Sequence, residues 1–320
     1  PLVDTTKLLV LSSAVHGIEG YTGSAVQQMF LKEMVNEDLL NEMGILMIHA
    51  VNPYGFKYGR RVTENNVDLN RNSEVDPALF QIKNDGYLAL IDMLNPEGEV
   101  SEGSLRSQFF YLIAISKMLK ESMSVLRQAV LQGQYEILDG IYFGGTDFEP
   151  QIDSMTAIIP GIFEPYDQIL EIDLHTGYGA RRVLHLFPNP VDDPVIKAKT
   201  EAVFTGHPID WGDEEDFYVV SGGFASSYLG KLDPEAEYLY MVFAWGPFNS
   251  QKTLGSLQSI SRVIKENQGA HYGYKNERQE EKVKQSNMEL YYSDSEAWRS
   301  EVMRSGREML ELVVSTFPDV

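Results

Sequence analysis

The sequence contains no cysteine, which excludes disulfides and thiolate metal sites. That absence fits a reducing compartment, and a cytoplasmic location is expected. No apolar run approaches the ~20 residues that span a bilayer, so no membrane partner is expected. No leader peptide is visible. The chain starts at Pro1 rather than Met and enters a strand almost at once, so a natural start upstream of Pro1 is expected. Basic residues are scarce: 26 Lys and Arg against 47 Asp and Glu give a net charge of −21. Nucleic-acid affinity needs basic groups to displace counterions from phosphates, so no nucleic-acid partner is expected. The acidity speaks to solubility more than to fold or function. There is no G-x-x-x-x-G-K-[ST] phosphate loop. GYTGSA and GGFASS set serine beside glycine but lack the G-x-S-x-G spacing of a nucleophile elbow.

The chain does have 320 residues, 43% of them hydrophobic, enough for one large α/β core or two smaller ones. Residues 8–12 (LLVLS) read as a buried strand, 24–40 as a helix and 45–51 (ILMIHAV) as a second strand ending at the Asn52-Pro53 turn. That order suggests a parallel βαβ unit. Residues 74–94 look helical, 95–103 form a polar loop, and 107–132 carry the 3.6-residue spacing of a long amphipathic helix. Residues 134–145 read as loop. Residues 169–174 (ILEIDL), 183–187 and 238–243 (YLYMVF) read as strands, and 254–267 and 297–314 as helices. Residues 268–284 are polar and read as loop or frayed chain. Alternating strands and helices predict an α/β fold with a mostly parallel or mixed twisted sheet and helices on both faces. In such sheets, sites gather where strands end.

Three polar segments follow buried strands: VHGIEG (15–20), NNVDLNRN (65–72) and EIDLHTG (171–177). His16 and Glu19, three apart, are both good Zn²⁺ donors, and Gly17 and Gly20 give freedom for a tight turn. His175, just past another strand, would complete a three-ligand site with one open position, the catalytic pattern. Asp173 or a backbone carbonyl would orient a ligand imidazole. Each signal is weak alone, since HxxE arises by chance and a histidine at a strand end often only hydrogen-bonds within a loop. Arg60, Arg61, Asn70 and Arg71 together would hold a carboxylate, because guanidinium forks pair with it bidentately. The same residues would equally form a solvated turn with ion pairs to Glu64 and Asp68.

Taken in order, HGIEG, NPYG, RVTENNVDLNRN and DLHTG resemble segments of the zinc metallocarboxypeptidases, the carboxypeptidase A-like family. The chain is most similar to an uncharacterised bacterial branch, which GQYEILDGIYFGG (133–145) also resembles. The resemblance covers about residues 8–177, and more weakly to about 260. It implies a single zinc-carboxypeptidase-like domain over 1–320, with a helical insertion around 95–135. It implies one Zn²⁺ per chain on His16, Glu19 and His175, with Arg61 stabilising the oxyanion and Asn70 and Arg71 gripping a terminal carboxylate. The expected substrates are peptides or N-acyl amino acids, cleaved at an amide bond.

Two departures stand out. The family has strand material before HxxE, and here there is almost none. Its general base is a late glutamate, in this branch within an E-F-G-T-like tetrad, where this chain has Ala244-Trp245-Gly246-Pro247. An alanine takes no proton. Glu237 and the acidic run 213–216 are other carboxylates that would approach the site. Two readings compete with a hydrolase. One is a base-deficient zinc protein that binds carboxylates without turnover. The other, which an absence of bound metal would favour, is a purely structural or interaction protein.

Overall fold

The computed structural model describes residues 5–100, 128–188, 191, 193–212, 220–224, 228–248 and 253–320. Five strands form one sheet: β1 (Lys7–Ser13), β2 (Gly44–Ile48), β3 (Gln168–Arg181), β4 (Leu184–Phe187) and β5 (Glu237–Gly246). The order is β2-β1-β3-β5-β4, parallel except for β4, which runs antiparallel to β5. The α/β class with a mixed sheet is the one the sequence predicts. Central strands buried on both faces need apolar residues at nearly every position, which is why LLVL in β1 is continuous rather than alternating.

Helices cover both faces. On one face, Gly20–Glu33 and Glu296–Thr316 bury Val26, Phe30, Trp298, Val302 and Leu310 against Leu9, Leu11, Ile172 and Phe243. Ser295 starts the last helix by accepting a hydrogen bond from the Trp298 amide, an N-cap that a serine supplies well. On the other face, Pro150–Phe163 packs Ile152, Ile159 and Phe163 against Leu8, Val10 and Ile169. Proline at its start costs no hydrogen bond there. Among the described residues no helix is long and apolar enough to cross a membrane.

Several elements differ from the sequence reading. The helix predicted at 24–40 starts at Gly20 and stops at Glu33, because Asn36 caps a separate helix, Glu37–Glu42. Residues 74–94 are three short turns, Pro77–Gln81, Asp85–Leu88 and Ile91–Leu94. Asp76 and Asn84 cap the first two and interrupt the helical run. Residues 268–284, read as loop, are largely helical: Thr253–Tyr272 continues to Gly273 at φ +83, and Asn276 then caps Glu277–Tyr291. Polarity masked the buried stripe of Gln279, Val283, Asn287 and Leu290. Residues 101–127, which hold most of the predicted 107–132 helix and of the 95–135 insertion, lie outside the described residues, though 128–131 are helical.

The chain passes from β1 to β2 on one side, then crosses to β3 on the other. The β1/β3 boundary is therefore a switch point, where α/β sheets open a crevice beyond their carboxyl ends. His16 follows β1. His175 lies within β3, which runs on to Arg181 rather than ending there.

Candidate metal centre

His16 leads into a 3-10 turn, Gly17–Glu19, that runs directly into the helix Gly20–Glu33. The turn is tied down by the Gly17 and Ile18 amides donating to the Arg61 and Arg60 carbonyls at 3.2 and 2.8 Å. Gly17 is needed for space rather than for unusual backbone angles, since a Cβ there would lie 2.2 Å from the Gly55 carbonyl carbon. Gly17→Ala is expected to push the two segments apart and lower stability by about 1–3 kcal/mol, the usual cost of overpacking. Urea denaturation measures it, and an unchanged midpoint would show that the turn tolerates the methyl group.

His16, Glu19 and His175 converge and are all buried. Each offers a ligand atom, and these atoms lie within 4.8 Å of one another. Both histidines aim Nδ1 at the same carboxylate: His16 at Glu19 Oε1 and His175 at Glu19 Oε2, each at 2.9 Å. The Thr176 amide donates to Glu19 Oε2 at 2.9 Å and fixes its rotamer. Burial alone would raise the Glu19 carboxyl, but His16 and His175 beside it hold it far below its ordinary value.

Each histidine also has an aspartate at its outer nitrogen. His175 Nε2 lies 2.5 Å from Asp173 Oδ2, which leaves Nδ1 free to act as a lone-pair donor to a metal. His16 Nε2 lies 3.3 Å from Asp68 Oδ1 and 2.6 Å from Arg61 Nη2. A guanidinium only donates, so His16 Nε2 accepts from it here. When His16 ligates through Nδ1 its proton moves to Nε2, and Asp68 is the acceptor in place to receive it. Asp68 is fully buried, and Arg61 Nε donates to its Oδ2 at 2.9 Å. Burial would raise Asp68, yet Arg61 and His16 keep it well below the usual carboxylate range.

The sequence segment around Asp68 is therefore no solvated turn. Asp68, Arg71, Asn72 and Ser73 are all buried. Arg60 is not part of the arginine group, because its Nε pairs with Glu266 Oε1 at 2.8 Å. Arg61 and Arg71 do come together, around one ring: their guanidinium carbons lie 5.2 and 5.7 Å from the Tyr142 centroid. Arg71 is engaged by carbonyls, with Nη2 on Leu131 O and Nη1 on Asn70 O, both at 2.6 Å. Asn70 Oδ1 accepts from the Phe224 amide at 2.8 Å.

The profile of a family described as protein of unknown function (DUF2817) matches residues 2–305. The chain belongs to the DUF2817 family. No curated protein matches it. Among solved structures this DUF2817 chain is similar to the murein-tripeptide amidase MpaA from Escherichia coli O157, at 15% identity and TM-score 0.38, covering 81% of each chain. It is also similar to the carboxypeptidase A from Helicoverpa armigera, at 14% identity and TM-score 0.37, covering 98% of this chain and 62% of that one. A third is the ectoine utilization protein EutE (DoeB) from Ruegeria pomeroyi, at 13% identity and TM-score 0.36, covering 83% and 57%.

In this DUF2817 protein β3 and β5 pair His175 with Ala244, and β4 pairs His185 with the same alanine. Neighbouring strands lie about 4.8 Å apart, so residue 244 stands beside the third candidate ligand and on its face of the sheet. Ala244 is fully buried and packs with Val242, Tyr178 and Phe187. Glu237 is not a substitute base. It starts β5, pairs with Gln168 and Lys199, and lies seven residues or roughly 23 Å along the strand from Ala244. The acidic run 213–216 lies outside the described residues.

The donor set fits a metal. Two imidazole nitrogens and one carboxylate, each braced from behind, are a three-ligand set of the kind that holds zinc with one position open.

Proposed function

We propose that this DUF2817 protein is a zinc-dependent hydrolase of amide bonds, of the carboxypeptidase type, with one Zn²⁺ on His16, Glu19 and His175. The observation that carries this reading is the convergence of both Nδ1 atoms on Glu19 while an aspartate stands at each Nε2. Bound there, zinc supplies a Lewis acid for a scissile carbonyl and lets water act as a nucleophile near neutral pH. Glu19 and the two histidines would put that chemistry just past the carboxyl end of β1 and against the middle of β3. Asp173 holds the His175 imidazole in the tautomer that presents Nδ1, and Asp68 stands at His16 Nε2 to accept its proton once His16 ligates through Nδ1.

Among the described residues Arg61 is the cation set against the ligand group, 2.6 Å from His16 Nε2 and 4.0 Å from Glu19 Oε1. Its charge is fixed: burial alone would lower its pKa, but Asp68 and its other neighbours raise it well above the ordinary value. From that position it stabilises negative charge developing on the carbonyl oxygen. Arg71, buried and facing the same Tyr142 ring, anchors a substrate carboxylate with Asn70 by exchanging its carbonyl partner Leu131 O or Asn70 O for it. That role suits the terminal carboxylate of a peptide or an N-acyl amino acid.

Arg71→Ala is expected to weaken binding of a C-terminal amino-acid analogue by about 10- to 150-fold, the worth of a charge-assisted hydrogen bond of ~1.5–3 kcal/mol. Calorimetric titration measures it, and equal affinity in both proteins would remove Arg71 from the clamp.

Ala244 supports a second reading, in which the site binds carboxylates without turning them over. Amine release from peptides and N-acyl amino acids by zinc-loaded protein separates the two. Turnover that vanishes in His175→Ala supports the hydrolase. Calorimetric binding without turnover supports the second reading, and neither binding nor turnover sinks both.

A further inference from the structure

Behind His175 the sheet carries a row of polar groups in an otherwise apolar layer. Residues 169, 171, 173 and 175 of β3 share the face that Leu8, Val10 and Phe163 cover. Glu171, Asp173 and Ser12 are fully buried there. Burying such groups is costly unless each is hydrogen-bonded, so a packing role alone would be met better by apolar residues.

Their contacts form a chain. The Tyr238 hydroxyl donates to Glu171 Oε2. Ser12 Oγ lies 3.2 Å from Glu171 Oε1 and 2.9 Å from Asp173 Oδ1. Asp173 Oδ2 lies 2.5 Å from His175 Nε2. One serine proton cannot serve two ionised carboxylates. Every contact is satisfied when Glu171 carries a proton on Oε1 and donates it to Ser12 Oγ. Ser12 then donates to Asp173, which accepts from His175. Tyr238, Glu171 and Ser12 thus donate in one direction, and His175 donates back, so both runs meet at Asp173.

The geometry points to Glu171 as a neutral carboxylic acid that acts, through Ser12, as a positioning residue for Asp173 and hence for His175. Burial and the Asp173 charge both push the Glu171 carboxyl well above its ordinary range, in the same direction as the hydrogen-bond count. Tyr238, raised by burial and by Glu171, keeps its proton and remains a donor. An ionised Glu171 would turn Ser12 away from Asp173 and free that carboxylate to rotate. This role rests on the metal reading above, because it acts through His175.

Two measurements test it. Zinc affinity by chelator competition is expected to fall about 10- to 100-fold in Ser12→Ala and in Glu171→Leu, the usual effect of losing support behind a ligand. Glu171→Gln keeps an uncharged donor toward Ser12 and is expected to hold wild-type affinity. Ser12→Ala without effect, or Glu171→Gln as weak as Glu171→Leu, would overturn the proposal. The second measurement needs no variant and no metal. Infrared spectra of metal-free wild type near neutral pH should show a protonated-carboxyl band that shifts on glutamate-specific isotope labelling. Absence of that band overturns the neutral acid even if the variants fail to fold. Zinc binding that is absent altogether sinks the metal reading, while the band still decides the state of Glu171.

Discussion

Ala244→Glu is expected to raise hydrolysis of peptide or N-acyl amino-acid substrates by about 10²–10⁴-fold, the worth of a positioned general base. The register places residue 244 beside His175, on the same face of the sheet and at the carboxyl end of β5. A glutamate side chain from that backbone position extends on the face of the sheet that carries His175. It must displace part of the packing that Tyr178 and Phe187 make with the alanine, so a loss of stability of about 1–3 kcal/mol should accompany the gain. Amine release, followed for wild type, Ala244→Glu and Ala244→Glu combined with His175→Ala, gives the answer. A gain that survives loss of His175 would show that the new carboxylate works without the metal. No gain in a folded, zinc-loaded variant would show that residue 244 is not where the base belongs.

His16→Ala and His175→Ala are each expected to take zinc content from about one ion per chain to nearly none. Two remaining ligands hold zinc far more weakly than three, and each truncation also leaves an aspartate, Asp68 or Asp173, without the imidazole it braces. Elemental analysis after dialysis against a metal-free buffer measures this. Unchanged zinc in both variants would move the ion to another site. Loss in one variant alone would redraw the ligand set around the histidine whose removal empties the site.

The parts of the centre that the sequence reveals are those where a polar residue interrupts an apolar run. HGIE after LLVLS and the histidine after ILEIDL break the hydrophobic pattern abruptly, and such a break is a chemical signal even though only the first falls at a strand end. Asp173 could be placed behind His175 for the same reason. Asp68 could not. It sits among Asn, Glu and Arg, where a buried, fully paired carboxylate and a solvated turn have the same local composition. Only the fold brings His16 Nε2 and Arg61 to its two carboxylate oxygens. Arg60 and Arg61 are adjacent and chemically identical, yet one pairs with Glu266 and the other with Asp68 and His16. No spacing rule separates them. Glu171 left a trace that pattern reading passed over: acidic residues at alternate positions of a strand otherwise apolar enough to be buried. The helix Glu277–Tyr291 was hidden by the reverse effect, since a single stripe of buried residues is outvoted by a strongly polar composition.

The buried arginines around Tyr142 have a consequence for charge balance. On the proton arrangement proposed above, Glu19, Asp68 and Asp173 would contribute three negative charges to the centre and Glu171 none. Arg61 and Arg71 return two positive charges, and a divalent ion adds two more. A zinc-loaded centre of the proposed kind would thus carry a single surplus positive unit inside a low-dielectric interior, where an unbalanced charge is costly. A ligand bearing one carboxylate brings it to neutrality. An uncharged ligand leaves the surplus in place, and a dianion reverses it.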